Sequence, residues 1–372
     1  MDEKSMMRAR PPFRADQVGS LLRSGPVKQA RTRRLAGEIS PIDLEAVEDA
    51  EIAKLVAKQE SIGLQAVTDG EFRRSWWHYD FLSKLDGVEL VSVAQGLQFK
   101  GTQTKAEGLH VHGRIDFSPS HPMLEHFRFL KSVARAVPKM TIPSPTALHF
   151  RGGRQAIETS VYPEMAPFFE DLGKAYTKAV RAFGEAGCTY LQLDEVFVAY
   201  LCDDNQRQML RDRGDDPDTL LHKYAELVNA ACAGRTPGMT ISMHLCRGNF
   251  RSTWMAQGGY ERVADILFNG MNVDAYFMEY DSERAGGFEP LRLLPRDKLA
   301  VLGVMTSKTG ALESKDQLKR RIDEAAKFAP LEQLGLSPQC DFASTEEGNL
   351  LAEDEQWAKL SRCVEVAREV WG

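Results

Sequence analysis

Met239-Thr-Ile-Ser-Met-His-Leu-Cys246 is a short apolar run that ends in two side chains able to bind a metal. Its length and its β-branched and aliphatic content predict a buried strand. Helical spacing precedes it over 216–233 and follows it over 259–268, so the stretch sits at the centre of a strand-then-helix unit. The unit recurs on both sides. Toward the C-terminus, strand 273–278 ends in Glu279, strand 299–304 leads to a helix opened by the capping box Ser314-Lys-Asp-Gln317, and strand 336–340 precedes a helix over 352–370. Toward the N-terminus, helix 163–186 leads into strand 188–193, which ends in Asp194-Glu195. Before it come strand 139–143, strand 64–68 closing in Asp69-Gly-Glu71, and strand 13–18 ending in Gly19-Ser20. Eight such units without a Gly-x-Gly-x-x-Gly turn predict a closed (β/α)8 TIM barrel, an α/β fold, in preference to a doubly wound sheet.

The pattern changes once. Alternating residues punctuated by glycine over 86–117 predict a β-hairpin excursion after the second strand, and the insertion is placed at 86–137 within one catalytic barrel domain spanning 1–372. No linker rich in proline, glycine or serine divides the chain.

Composition narrows the partners. Over 372 residues, 43% hydrophobic and 27% charged side chains describe a globular protein with material for a large core, and a net charge of -6 provides no basic footprint for nucleic acid or anionic lipid. Small molecules are the expected partners, with self-association left open. Residues 1–10 carry charge where a signal peptide needs an apolar core, and no later run is long enough to span a bilayer, so a cytoplasmic location is expected. Six scattered cysteines with no Cys-x-x-Cys argue against a disulfide scaffold or a zinc ribbon.

Active sites of such barrels form where the strands end at their C-terminal face, and that rule gathers distant residues onto one rim. On a strand, the i, i+2 spacing of His244 and Cys246 puts both side chains on the same side. Glu279 and Cys340 end later strands. Taken singly, a buried cysteine or a strand-end histidine is usually core. Together, one imidazole, two thiols and a carboxylate describe a metal site, and the soft donors suit zinc.

These residues resemble a known family. His244-x-Cys246, Glu279 in Phe277-Met-Glu-Tyr280 and Cys340 in Ser337-Pro-Gln-Cys-Asp341 look like the zinc ligands in the C-terminal catalytic barrel of cobalamin-independent methionine synthase. Val18-Gly19-Ser20, Asp69-Gly-Glu71 and Leu191-Gln-Leu-Asp-Glu195 look like its homocysteine-binding segments. The resemblance runs from about Phe13 onwards and implies zinc-dependent methyl transfer to homocysteine. It implies that Gly19 and Ser20 contact the amino acid's carboxylate, and that Glu71 and Asp194 hold its ammonium. Two thiolates and a carboxylate would keep zinc electron-rich, which favours a nucleophilic sulfur over activated water.

The match is unequal. The full-length family has two barrels, and this chain has the counterpart of the second. The family's proton-donating histidine is matched by Thr306, whose hydroxyl is too weak an acid for that role. A tryptophan near the pterin is matched by Phe150, and a folate-contacting glutamate by Tyr200. The donor is thus left open between a 5-methyltetrahydrofolate type and another. Two alternatives stand beside this one: alkyl transfer to a different thiol, such as one of the coenzyme M type, and a non-catalytic structural zinc. His78 and Lys308 are candidates for the missing acid, and Trp76-Trp-His-Tyr79 for a wall at the mouth of the site.

Overall fold

The computed structural model describes residues 8–372, so the charged stretch 1–10 lies outside it except for its last three residues. Its strands in chain order are β1 (Ala66–Val67), β2 (Asp86–Ser92), β3 (Gln98–Phe99), β4 (Thr102–Gln103), β5 (Glu107–Asp116), β6 (Val137–Pro143), β7 (Tyr190–Asp194), β8 (Thr240–Leu245), β9 (Ala275–Glu279), β10 (Leu299–Met305) and β11 (Leu334–Pro338). Seven of them form one curled parallel sheet in the order β1-β6-β7-β8-β9-β10-β11.

Eight regular strands were expected; the first position is filled differently. Residues 13–20 run as an extended segment between β11 and β1, joined to them by isolated parallel bridges, Ala15 to Leu336 and Ser20 to Gly70. The Asp16 N–H donates to the Leu336 carbonyl (3.0 Å) and the Leu21 N–H to the Gly70 carbonyl (3.1 Å). Side chains displace the rest of the ladder. The Asp16 carboxylate accepts the N–H groups of Phe13 (3.1 Å) and Gln17 (2.8 Å), and the Lys139 ammonium takes the Gln17 carbonyl. A segment whose backbone is satisfied by its own side chains has little left to offer a regular ladder.

Period-2 alternation sorts the sheet's two faces. Leu191, Leu193, Ile241, Met243, Leu245, Ala300 and Leu302 join the large core under the helices, whereas Tyr190, Phe277 and Val301 cluster with Phe13, Val18 and Ala66. The register then aligns the chemistry. Gln192 lies beside Thr141 and Ser242, Asp194 beside His244, and Glu279 beside Gly303, so the C-terminal strand ends share one level.

The helices follow the expected starts. Ser40 caps the helix Pro41–Ser61 in a reciprocal capping box with Asp43, and Ser314 does the same with Gln317 for the helix Lys315–Ala325. β2 and β5 pair antiparallel as the hairpin after the second strand position, with β3 and β4 paired beyond them. The helix Pro122–Val133, which follows the hairpin, buries Leu124, Phe127 and Leu130 and packs against β6 and its neighbouring helices. No helix among the described residues is long and apolar enough to cross a membrane.

Candidate metal and substrate site

Three of the four expected ligands meet. A ring nitrogen of His244 and the sulfurs of Cys246 and Cys340 lie within 4.8 Å of one another, all buried. Neither ring nitrogen of His244 has a hydrogen-bond partner of good geometry, although the imidazole is fully enclosed and the Cys246 sulfur lies beside it. An orphaned buried imidazole against two thiols is what a soft cation would satisfy, so the donor set fits zinc.

The electrostatics agree. A hydrogen bond from Cys340 holds the Cys246 thiol well below its ordinary range, and burial drives Cys340 well above it, so one proton serves two sulfurs. Burial would depress the His244 imidazole, but the Cys246 thiolate and the carboxylates of Asp194 and Asp341 lift it to about 9. Without a metal, these shifts favour negative charge on the Cys246 sulfur and positive charge on the imidazole beside it.

Glu279 stands outside this trio. One of its oxygens accepts the Arg247 backbone N–H (2.6 Å); the other is bound by the Arg284 guanidinium and approached by the Lys308 ammonium at 3.4 Å. Burial acts to raise its pKa, but Lys308, Arg247 and Arg284 overcome that and hold it at about 2. Its carboxylate is committed to ion pairs whose partners come from loops.

Beside the sulfurs lies a recess of buried carboxylates. Glu71 has a backbone φ of +57°, a left-handed conformation that costs a non-glycine residue about 1 kcal/mol or more. One of its oxygens accepts from Arg74 (2.8 Å) and Thr141 (2.8 Å), and the other, equally buried, has no partner. Burial raises Glu71 to about 8 against the pull of Arg74, and burial together with Asp341 raises Asp194 to about 7. Gln192 ties this side together by donating to Asp194 (2.7 Å) and to the Val18 carbonyl (2.8 Å). Burial outweighs the cations already present, so a further positive charge in the recess would be stabilised.

Gly19 and Ser20 border the recess. A Cβ on Gly19 would come within 2.5 Å of the Thr141 methyl, and φ there is +154°, so only glycine fits. The Ser20 N–H is taken by Asp341 (2.8 Å). Asp341 is the residue that sequence reasoning missed, although it directly follows Cys340.

The other wall is aromatic. Trp77, Phe99 and Tyr200 enclose a space of about 20 Å³ against His244, Cys246 and Cys340, roughly the room of one water. Phe150 stacks on Phe197 with centroids 4.7 Å apart. His78 is wholly buried between Trp77 (4.4 Å) and Tyr79 (4.0 Å), its nitrogens unpartnered, and burial and the Arg151 charge hold it well below its ordinary range, so it is neutral. Thr306 donates to Asp281 (3.0 Å), which also faces Lys308 at 3.5 Å.

Residues 13–369 match the profile described as "Cobalamin-independent synthase, Catalytic domain". The chain is 52% identical over 373 residues to YxjG, an uncharacterised protein of Bacillus subtilis (strain 168), covering 100% of this chain and 98% of that one. It superposes with a TM-score of 0.79 and 41% identity on a Listeria monocytogenes crystal structure assigned as a vitamin-B12 independent methionine synthase, over 98% of this chain and 100% of that one. Similarity at 23% identity extends to the 5-methyltetrahydropteroyltriglutamate–homocysteine methyltransferase of Bacillus licheniformis, over 95% of this chain but 42% of that enzyme's length.

Proposed function

The chain belongs to the family of cobalamin-independent synthase catalytic domains, and from that premise we propose a zinc-dependent methyltransferase that carries a methyl group to the thiol of homocysteine, giving methionine. The observation that carries this reading is the meeting of His244, Cys246 and Cys340 beside a recess of cation-seeking carboxylates. Such a recess has no use in a purely structural metal site.

When bound, zinc supplies the Lewis acidity that lets a thiol, with an ordinary pKa of roughly 8.5, shed its proton near neutral pH. The protein does the rest by placement. Glu71 and Asp194 receive the substrate ammonium, whose charge relieves both carboxylates. The backbone at Val18, Gly19 and Ser20 receives its carboxylate, with the Ser20 N–H released by Asp341. Glu279, now paired with Arg284 and Lys308, would be the residue to complete the donor set for the metal. In the transfer a sulfur–carbon bond forms as the bond between the methyl and the donor's leaving atom breaks, and that atom keeps the electron pair and takes a proton.

A second reading, a different donor or acceptor thiol at the same centre, rests on where that proton would come from. Thr306 spends its hydroxyl on Asp281, Phe150 offers no proton, and burial raises the Tyr200 phenol above its ordinary range, so the donor side lacks an evident acid. One experiment tests both. The purified protein is assayed for bound zinc, and its zinc-edge spectrum is recorded with homocysteine and with other thiols; methionine formation is then screened with folate monoglutamate, folate polyglutamate and methylated corrinoid donors. About one zinc per chain and a new sulfur ligand from homocysteine are expected. Zinc-free active protein, or a spectrum that homocysteine leaves unchanged, would overturn the proposal.

A further inference from the structure

The space beside Cys246 is lined by groups of opposite character: the carboxylates of Asp194 and Asp341, and the side chains of Arg151 and Tyr200. Arg151 belongs to the short helix Thr146–Gly152 after β6, and Tyr200 to the turn Phe197–Tyr200 after β7. Both are thus placed by the ends of neighbouring strands.

Arg151 is a charge without a counter-ion. Among the described residues no carboxylate pairs with it. Its guanidinium lies 5.0 Å from the Phe197 ring centroid and 5.9 Å from that of Tyr200; it contacts the Met255 thioether at 3.7 Å and the Tyr200 hydroxyl, and its buried Nε has no partner. Stacking on ring faces satisfies the plane of a guanidinium and leaves the N–H groups at its edge unused. The Tyr200 hydroxyl, wholly buried, lies close to that guanidinium yet finds no partner of good geometry. Arg247 and Arg284, on the far side of Cys246, are by contrast paired with Glu279.

A guanidinium with no carboxylate partner, beside a tyrosine hydroxyl in a space that also holds carboxylates, sorts ligands by charge. We propose that Arg151, assisted by the Tyr200 hydroxyl, is a specificity residue that binds an anionic group, carboxylate or phosphate, on the methyl donor. The inference rests on the methyltransferase reading, since Asp194 is assigned there to the amino acid's ammonium. A donor whose only charge is positive is disfavoured beside this guanidinium.

The test uses the zinc-loaded full chain and reads binding by calorimetry, with glutarate as the carboxylate probe, inorganic phosphate as the phosphate probe and tetramethylammonium as the cationic control. Saturable binding of one of the two anions is expected, weakened about tenfold or more by Arg151→Gln and less by Arg151→Lys, because the lysine keeps the charge and loses the planar fork. Homocysteine binding, followed separately through the zinc-edge sulfur signal, should be the same in all three proteins. No saturable binding of either anion, equal binding by Arg151→Gln, or preference for tetramethylammonium would overturn the proposal. Loss of homocysteine binding in Arg151→Gln would reassign the residue to the amino acid. Failure of homocysteine to reach zinc in the unaltered protein would instead refute the acceptor, leaving the anion result to be judged on its own.

Discussion

The two halves of the candidate site are built by different means. The half proposed to face the thiol is made of strand ends: Asp194, His244 and Glu279 are aligned by a parallel register that also builds the barrel, and Cys246 and Cys340 lie just past the ends of their strands. The half proposed to face the methyl donor is made of what comes after the strands: Trp77, Phe99, Phe150, Arg151 and Tyr200 lie in turns, short helices and the hairpin. Sheet register and the residues just past it position the first half. Loops position the second, and loops are where a barrel changes its substrates while keeping its chemistry.

That contrast can be broken most severely at the sulfurs. Cys246→Ser or Cys340→Ser is expected to lower turnover by about a thousandfold or more and to leave substoichiometric zinc by elemental analysis, with far-ultraviolet circular dichroism unchanged. A variant that kept both its zinc and its rate would remove the distinction between the halves.

Next comes the carboxylate recess. Asp194→Asn should raise the KM for homocysteine about a hundredfold, the scale of a charge-assisted hydrogen bond in a buried site. The same residues set a pH dependence. Folded-state values of about 8 for Glu71 and about 7 for Asp194 exceed the ordinary 4.5 and 3.8, so the folded protein holds protons that the unfolded chain releases. Stability of the metal-free protein should therefore fall as pH rises from about 4 to about 8, and Asp194→Asn should flatten that slope in thermal melts. A slope of the opposite sign would mean the recess is not protonated as described.

The donor half predicts a gain instead of a loss. Thr306→His, beside Asp281, should raise any rate with a 5-methyltetrahydrofolate donor by about tenfold, since a positioned general acid contributes at least that much. No change with any donor would show that proton delivery is not what separates the halves. The smallest effect lies away from both: Ser40→Ala, at an exposed capping box, should cost about 1 kcal/mol in thermal unfolding and leave activity unaltered.

What could be read from the chain follows the same division. Strand ends are legible because an i, i+2 pair such as His244 and Cys246 must share a face, and because repeated units imply a common rim. The extended segment 13–20 was legible as a strand position but not in its irregularity, which arises when the Asp16 side chain caps its own backbone. The ion pairs of Glu279 were hidden because Arg284 and Lys308 arrive from separate loops. Asp341 carries a signal that sequence reasoning passed over: an acid next to a strand-end cysteine sits at the same rim. Arg151 carries none, since a lone arginine after a short strand looks like any solvated one.

Below the rim the barrel is stopped. Lys139 lies 3.9 Å from the Phe277 ring and 4.9 Å from that of Tyr190, paired with Asp16 at 3.3 Å, and all of them are sealed from solvent. A barrel plugged at its base is entered from the rim, where the strands end. If homocysteine takes the seat proposed at the carboxylates, it would enter before the donor, and the demethylated donor would leave before the product. Steady-state kinetics would register that queue as compulsory order.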